Sequence, residues 1–149
     1  MKWIDIPPVW FAGFVVLAYW LGRLDPWALG FGGGWSDLLA GICIGGGLIL
    51  MALALSEMRR QRTTFIPHRE ADRLVQSGIF KRTRNPIYLG DALVLLGLIL
   101  RFDAPIALPL VPVFIWLIER RFVIPEEDRL RRKFRADFAR YCTKTRRWL

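Results

Sequence analysis

A chain of 149 residues with 54% hydrophobic residues, seven tryptophans and a mean hydropathy of +0.30 is more apolar than a soluble core of this size requires, so lipid is expected to cover part of its surface. The net charge of +9 would suit nucleic acid in a soluble protein. Here the basic residues alternate with long uncharged runs, which makes anionic lipid headgroups the expected counter-charge and argues against a nucleic-acid partner.

The first uncharged run, residues 6–22, carries Trp10, Tyr19 and Trp20 towards its ends, where aromatic side chains meet headgroups. Trp3 and Asp5 precede it and Pro7-Pro8 stand at its start in place of a basic leader, so it is expected to stay as a span rather than be cleaved. Residues 38–55 form a second uncharged run, in which Gly41 and Gly45 stand at GxxxG spacing and predict a close helix contact. Residues 87–100 and 104–118 are shorter runs around Arg101-Phe102-Asp103 and read as a helical hairpin. Pro105, Pro109 and Pro112 should bend its second arm.

Of the 22 lysines and arginines, 20 lie before the first run, between Arg59 and Arg84, or between Arg120 and Arg147. The positive-inside rule then puts both termini and residues 58–86 in the cytoplasm, with a cell inner membrane as the host. The expected fold is all-α and polytopic, with about four transmembrane helices in two hairpins plus a cytoplasmic amphipathic C-terminal helix. It forms one unit, with an N-terminal hairpin over residues 1–58 and a second half over 59–149. Cys43 and Cys142 make no disulfide framework, and no metal site is expected.

Chemistry concentrates in two cytoplasmic stretches. Residues 63–86 are too polar to span, with Pro67, Gly78 and Pro86 as breakpoints and a short helix expected over 68–76. Gly78 permits an unusual turn, Asn85 is pushed towards extended geometry by the proline after it, and Pro86 can open the third helix. The segment RNPIYLG reads as an interfacial turn, with Arg84 snorkelling, Tyr88 in the aromatic belt and Gly90 packing, or as a ligand site. Asp91 tips that balance, because an acid inside an apolar helix should face a partner or a wet cavity. A local ion pair with Arg84 or Lys81 is the plainer explanation. The lone histidine, His68, is expected to be solvated or capping, and the Gly-rich stretch after Phe31 to be a flexible turn.

The second stretch opens with Pro125-Glu126-Glu127-Asp128, proline and acids as at an ordinary helix start. A helix over 126–141 would align Leu130, Phe134, Phe138 and Tyr141 on one stripe and lie in the membrane interface. Glu127 falls on that stripe and Asp128 away from it. Asp137, also on the stripe, would pair with Lys133 or Arg140.

The string LVQSGIFKRTRNPIYLG, followed after a helical hairpin by EEDRLRRKFRADFARY and RRW, resembles the isoprenylcysteine carboxyl methyltransferase and phospholipid methyltransferase superfamily over residues 63–149. The family pattern is an R-H-P-x-Y-x-G element, a hairpin, then two adjacent glutamates on a cytoplasmic helix. Asn85 stands here in place of its histidine and Arg135 in place of a glycine after Phe134. The resemblance implies an S-adenosylmethionine site, with Asn85, Pro86, Tyr88 and Gly90 on one side, Glu126 and Glu127 on the other, and Gly78 and Phe80 lining it through the preceding turn. It further implies catalytic roles for Tyr88, Glu127 and Arg147, and a lipophilic or lipid acceptor entering from the bilayer. Carboxyl methylation is favoured over phospholipid N-methylation; a membrane reductase and a non-catalytic lipid-binding adaptor of the same fold are the alternatives.

Overall fold

The computed structural model describes residues 4–27, 30–63 and 73–149, and every regular element among them is helical. The first uncharged run forms α1 (Pro7–Arg23), opened by prolines whose missing N–H groups cost nothing in a first turn. The second forms α2 (Gly34–Arg60). A single 3-10 turn at Gly78–Lys81 leads to α3 (Pro86–Arg101), for which Asn85 is the N-cap and Pro86 the opening residue. Pro105 and Pro109 confine the next stretch to a 3-10 turn at Pro105–Ala107 and delay α4 to Leu110–Ile118. His68 and most of the short helix expected over 68–76 lie outside the described residues; residues 73–76 carry no helix.

Two elements depart from expectation. The chain does not restart at Pro125, because α4 passes through a π-helical turn at Glu119–Val123 straight into α5 (Ile124–Phe134). Pro125 has no N–H and crowds the carbonyl one turn back; the wider turn, in which the Ile124 N–H reaches the Glu119 carbonyl, takes up that mismatch. The amphipathic helix expected over 126–141 is instead cut at Arg135, and α6 (Ala136–Lys144) follows at a new angle. Arg135 sits at φ 46°, ψ −113°, a conformation that glycine adopts freely and a side chain resists. Arg135→Gly is therefore expected to raise stability by about 1 kcal/mol, read as a higher unfolding midpoint in detergent. No change would mean the junction is unstrained.

The break also redirects the apolar stripe. Phe138 and Tyr141 are buried, and with Leu130 and Phe134 they pack on Ala54, Val75 and Phe80, so the stripe closes a protein core rather than lying on lipid. Asp137 is consequently exposed and pairs with Arg140.

The long segments alternate in direction as two hairpins. At one end Phe31 N–H donates to Asp103 Oδ1 at 2.6 Å and Arg101 approaches Asp37 at 3.5 Å, tying the α1–α2 and α3–α4 connections together. At the other end the start of α1, the end of α2 and the start of α3 meet α5. Between them Leu95, Ile99, Phe114 and Ile118 form the central core, with Phe14 edge-on to Phe114 at 5.2 Å.

The tightest helix contact is α2 on α3, through glycines other than the expected pair. A Cβ on Gly41 or Gly45 would meet nothing within 4 Å, whereas one on Gly47 would come to 2.6 Å from the Gly90 carbonyl and one on Gly97 to 2.9 Å from the Ala40 carbonyl. Four glycines in seven residues make several faces smooth, and only the partner's own glycines select one.

Among the described residues α2 is the one helix long and apolar enough to cross a membrane, with a mean hydropathy of 2.5 over an 18-residue stretch. Its 27 residues reach about 40 Å at a rise of 1.5 Å each. The 17 residues of α1 and the 16 of α3 fall short of the roughly 20 that a full crossing takes. Large apolar side chains nonetheless stand exposed on three helices, among them Val16 and Trp20 on α1, Leu38 and Ile49 on α2 and Trp116 on α4.

Candidate functional site

The end of the bundle where α1, α2, α3 and α5 meet encloses a cavity of about 520 Å³, within the range of small-molecule sites. Its apolar walls come from Pro7 and Pro8 on α1 and from Met51, Leu55 and Met58 on α2. Asn85, Tyr88 and Asp91 enter from the first turns of α3, Glu126, Glu127 and Lys133 from α5, and Phe138 and Tyr141 from α6. The N-terminal half thus supplies a wall that its sequence does not announce, since Pro7-Pro8 and two leucine-rich turns look like any helix start and any lipid face.

Six of the residues expected at a site line this one cavity: Phe80, Asn85, Pro86, Tyr88, Glu126 and Glu127. Three do not. Gly90 is a packing residue, because its missing side chain lets α2 approach and a Cβ there would sit 2.7 Å from the Gly47 carbonyl. Gly78, at φ +60°, shapes the turn that carries Phe80 and lies against Glu57, whose carboxylate a Cβ would meet at 2.8 Å. Arg147 stands behind Glu127 rather than in the cavity wall.

The polar groups are already organised. Tyr88 Oη donates to Glu126 Oε1 at 2.7 Å, joining α3 to α5 across the cavity. Glu127 is 6% exposed, and its carboxylate receives Arg147 Nε at 3.1 Å and Nη2 at 2.8 Å while Arg84 Nη1 lies 3.4 Å away. Its charge is met by two arginines of the chain itself, while Glu127 still lines the cavity. The hydrogen bond to Glu127 in turn holds the Arg147 guanidinium even further above its usual range. Arg147 Nη1 also donates to Glu119 Oε1 at 2.5 Å and Trp148 Nε1 to Glu119 Oε2 at 3.4 Å, so the π turn anchors the C-terminal tail. Sequence reasoning passed over Glu119, though an acid closing an apolar run just before Arg120-Arg121 was the signal available.

Asn85 takes part in the same docking. Its Nδ2 donates to the Arg147 carbonyl at 2.9 Å, Thr83 Oγ1 donates to that carbonyl at 3.2 Å, and Arg84 N–H donates to the Arg146 carbonyl at 3.0 Å. The side chain that replaces a histidine therefore works as an amide donor to backbone, which needs no imidazole. Tyr141 Oη donates to the Phe80 carbonyl at 2.7 Å, and burial pushes its phenol above its usual range.

Asp91 differs from the other acids of the cavity. It makes no hydrogen bond or ion pair among the described residues; Arg84, its expected partner, is committed to Glu127 and to Cys142 Sγ at 2.6 Å.

A family model described as phospholipid methyltransferase matches residues 35–137, more than half of the chain and most of the cavity wall. The chain belongs to the phospholipid methyltransferase family. Neither a curated protein nor a solved structure gives a significant match. Membership assigns the chain to a group of membrane-integral methyltransferases, and the match runs through α2, α3, α4 and α5, the elements that bring Tyr88 and Glu126 together.

The cavity's chemistry fits S-adenosylmethionine as the methyl donor. Glu126 offers a carboxylate for an ammonium or ribose hydroxyls, and Phe80, Tyr88, Phe138 and Tyr141 offer aromatic faces that tolerate a sulfonium charge.

Proposed function

We propose that this protein is an S-adenosylmethionine-dependent methyltransferase of the cell inner membrane, passing a methyl group to a lipophilic acceptor that presents a carboxylate or an amine to the cavity. In this reading all four apolar segments cross the bilayer, α1 and α3 as short spans, and the cavity opens to the cytoplasm. The observation that carries it is the cavity at the basic end of the bundle, walled mostly by the family-matched helices and bridged by Tyr88 and Glu126.

The donor, when bound, supplies an electrophilic methyl on a sulfonium. Displacement at such a carbon mainly needs positioning and exclusion of water, so the protein's part is geometric. Glu126, oriented by Tyr88, holds the donor's polar groups. Phe80 and Phe138 exclude water, and the exposed apolar faces of α1 and α2 let a lipophilic acceptor reach Pro7, Met51 and Leu55 from the bilayer. Glu127, Arg84, Asn85 and Arg147 keep α3, α5 and the tail closed around the cavity.

Calorimetry in detergent with S-adenosylhomocysteine and with NADPH tests the reading. Binding of the first and not the second is expected. The reverse would make the protein a reductase, and binding of neither would leave a lipid-binding fold without this chemistry.

A further inference from the structure

We propose that Asp91 is the acceptor-binding group of the cavity, recognising a protonated amine on the lipophilic substrate and taking its proton; the proposal rests on the methyltransferase reading above. Asp91 lies three residues beyond Tyr88 on α3, hence on the same helix face and one turn deeper, among the apolar walls of α1 and α2. The other acids facing or backing the cavity are spoken for. Glu126 accepts the Tyr88 hydroxyl and serves the donor in that reading, Glu127 is held by Arg147 and Arg84, and Glu119 by Arg147 and Trp148. Asp91 has no hydrogen bond and no ion pair among the described residues, although it is half-buried in an otherwise apolar helix.

A carboxylate kept unpaired in such a place is a standing cost to the fold, and a cationic ligand group is what relieves it. The basic residues of the cavity do not serve Asp91: Arg84 approaches Glu127 and Cys142, and Arg73, Arg129 and Lys133, which also line the cavity, make no ion pair with it. A carboxylate acceptor would meet a like charge at this depth, whereas an ammonium would meet its complement. Carboxyl methylation, the preference from sequence, is thereby displaced by an amine.

The proton step balances simply. The N–H bond of the ammonium breaks, its electron pair stays on nitrogen, and the proton forms an O–H bond on Asp91. The nitrogen lone pair can then bond to the methyl carbon as the donor's carbon–sulfur bond breaks with its electrons going to sulfur. An amine needs such a proton acceptor before it becomes nucleophilic, and a carboxylate would not.

Asp91→Asn keeps the shape and removes the charge. The full-length protein in detergent is titrated with octylamine and with octanoate, each against protein-free micelles, and separately with S-adenosylhomocysteine. Wild type is expected to bind octylamine at least tenfold more tightly than octanoate, and Asp91→Asn to lose that preference while keeping its S-adenosylhomocysteine affinity within twofold. The variant should also unfold at a higher temperature, since an uncompensated charge has gone. Unchanged amine binding in the variant, a wild-type preference for octanoate, or a tenfold loss confined to S-adenosylhomocysteine would each overturn the assignment. If wild type binds octylamine through Asp91 but no S-adenosylhomocysteine, the methyltransferase reading fails while the amine site stands.

Discussion

Replacing Arg147 by alanine is expected to lower stability by about 3 kcal/mol, because Glu127 is then left buried with Arg84 alone at 3.4 Å. Glu119 loses a partner in the same step, and the tail residues that anchor Asn85 and Thr83 lose their hold on α3 and α5. Glu127→Gln should act in the same direction, since a neutral amide cannot answer two guanidinium groups. Denaturant unfolding in detergent reads both, with Arg146→Ala and Asp128→Asn as exposed controls that should shift stability by no more than about 0.5 kcal/mol. Equal effects in variants and controls would show that the Glu127 cluster contributes nothing to the fold.

Gly90→Val should be the more damaging substitution to the membrane bundle. Its Cβ would lie 2.7 Å from the Gly47 carbonyl and 2.9 Å from Met51 Cγ, and a backbone oxygen cannot swing aside as a side chain can. α2 and α3 must separate, with loss of the close packing that holds them together, a cost of about 3 kcal/mol or more. Poor yield of folded protein is the expected result, and Gly41→Val, with open space around it, the tolerated control. A well-folded Gly90→Val protein that fails only to bind S-adenosylhomocysteine would return Gly90 to the cavity wall.

Hydrophobic run length and the proline positions were enough to place the four apolar helices α1 to α4. The grouping of Asn85, Tyr88, Glu126 and Glu127 around one site came from the resemblance to the methyltransferase superfamily, and all four line the same cavity. Three things were hidden for physical reasons. Pro125 looked like a helix start, and nothing local distinguishes that from a proline carried by a π turn. Arg135 gave no sign of its positive φ, because arginine is an ordinary helix former and the strain is visible only against the glycine of the family pattern. Glu127 was read as facing a ligand because its partners, Arg84 and Arg147, lie 43 and 20 positions away in sequence and are joined to it only by the folded tail.

Those same contacts give the apparent departures from the family pattern a structural meaning. Asn85, in the cavity wall, supports the tail through its amide, and Arg135 turns the chain between α5 and α6.

Methyl transfer from a sulfonium donor to a lipophilic acceptor leaves the label on an organic-soluble product. Membranes containing the full chain, incubated with methyl-labelled S-adenosylmethionine and then extracted with organic solvent, test it most directly. Label is expected in the organic phase at levels well above membranes lacking the protein, and is expected to fall at least tenfold in Asp91→Asn. An organic phase no more labelled than the control, from protein shown to be folded and to bind S-adenosylhomocysteine, would contradict the account.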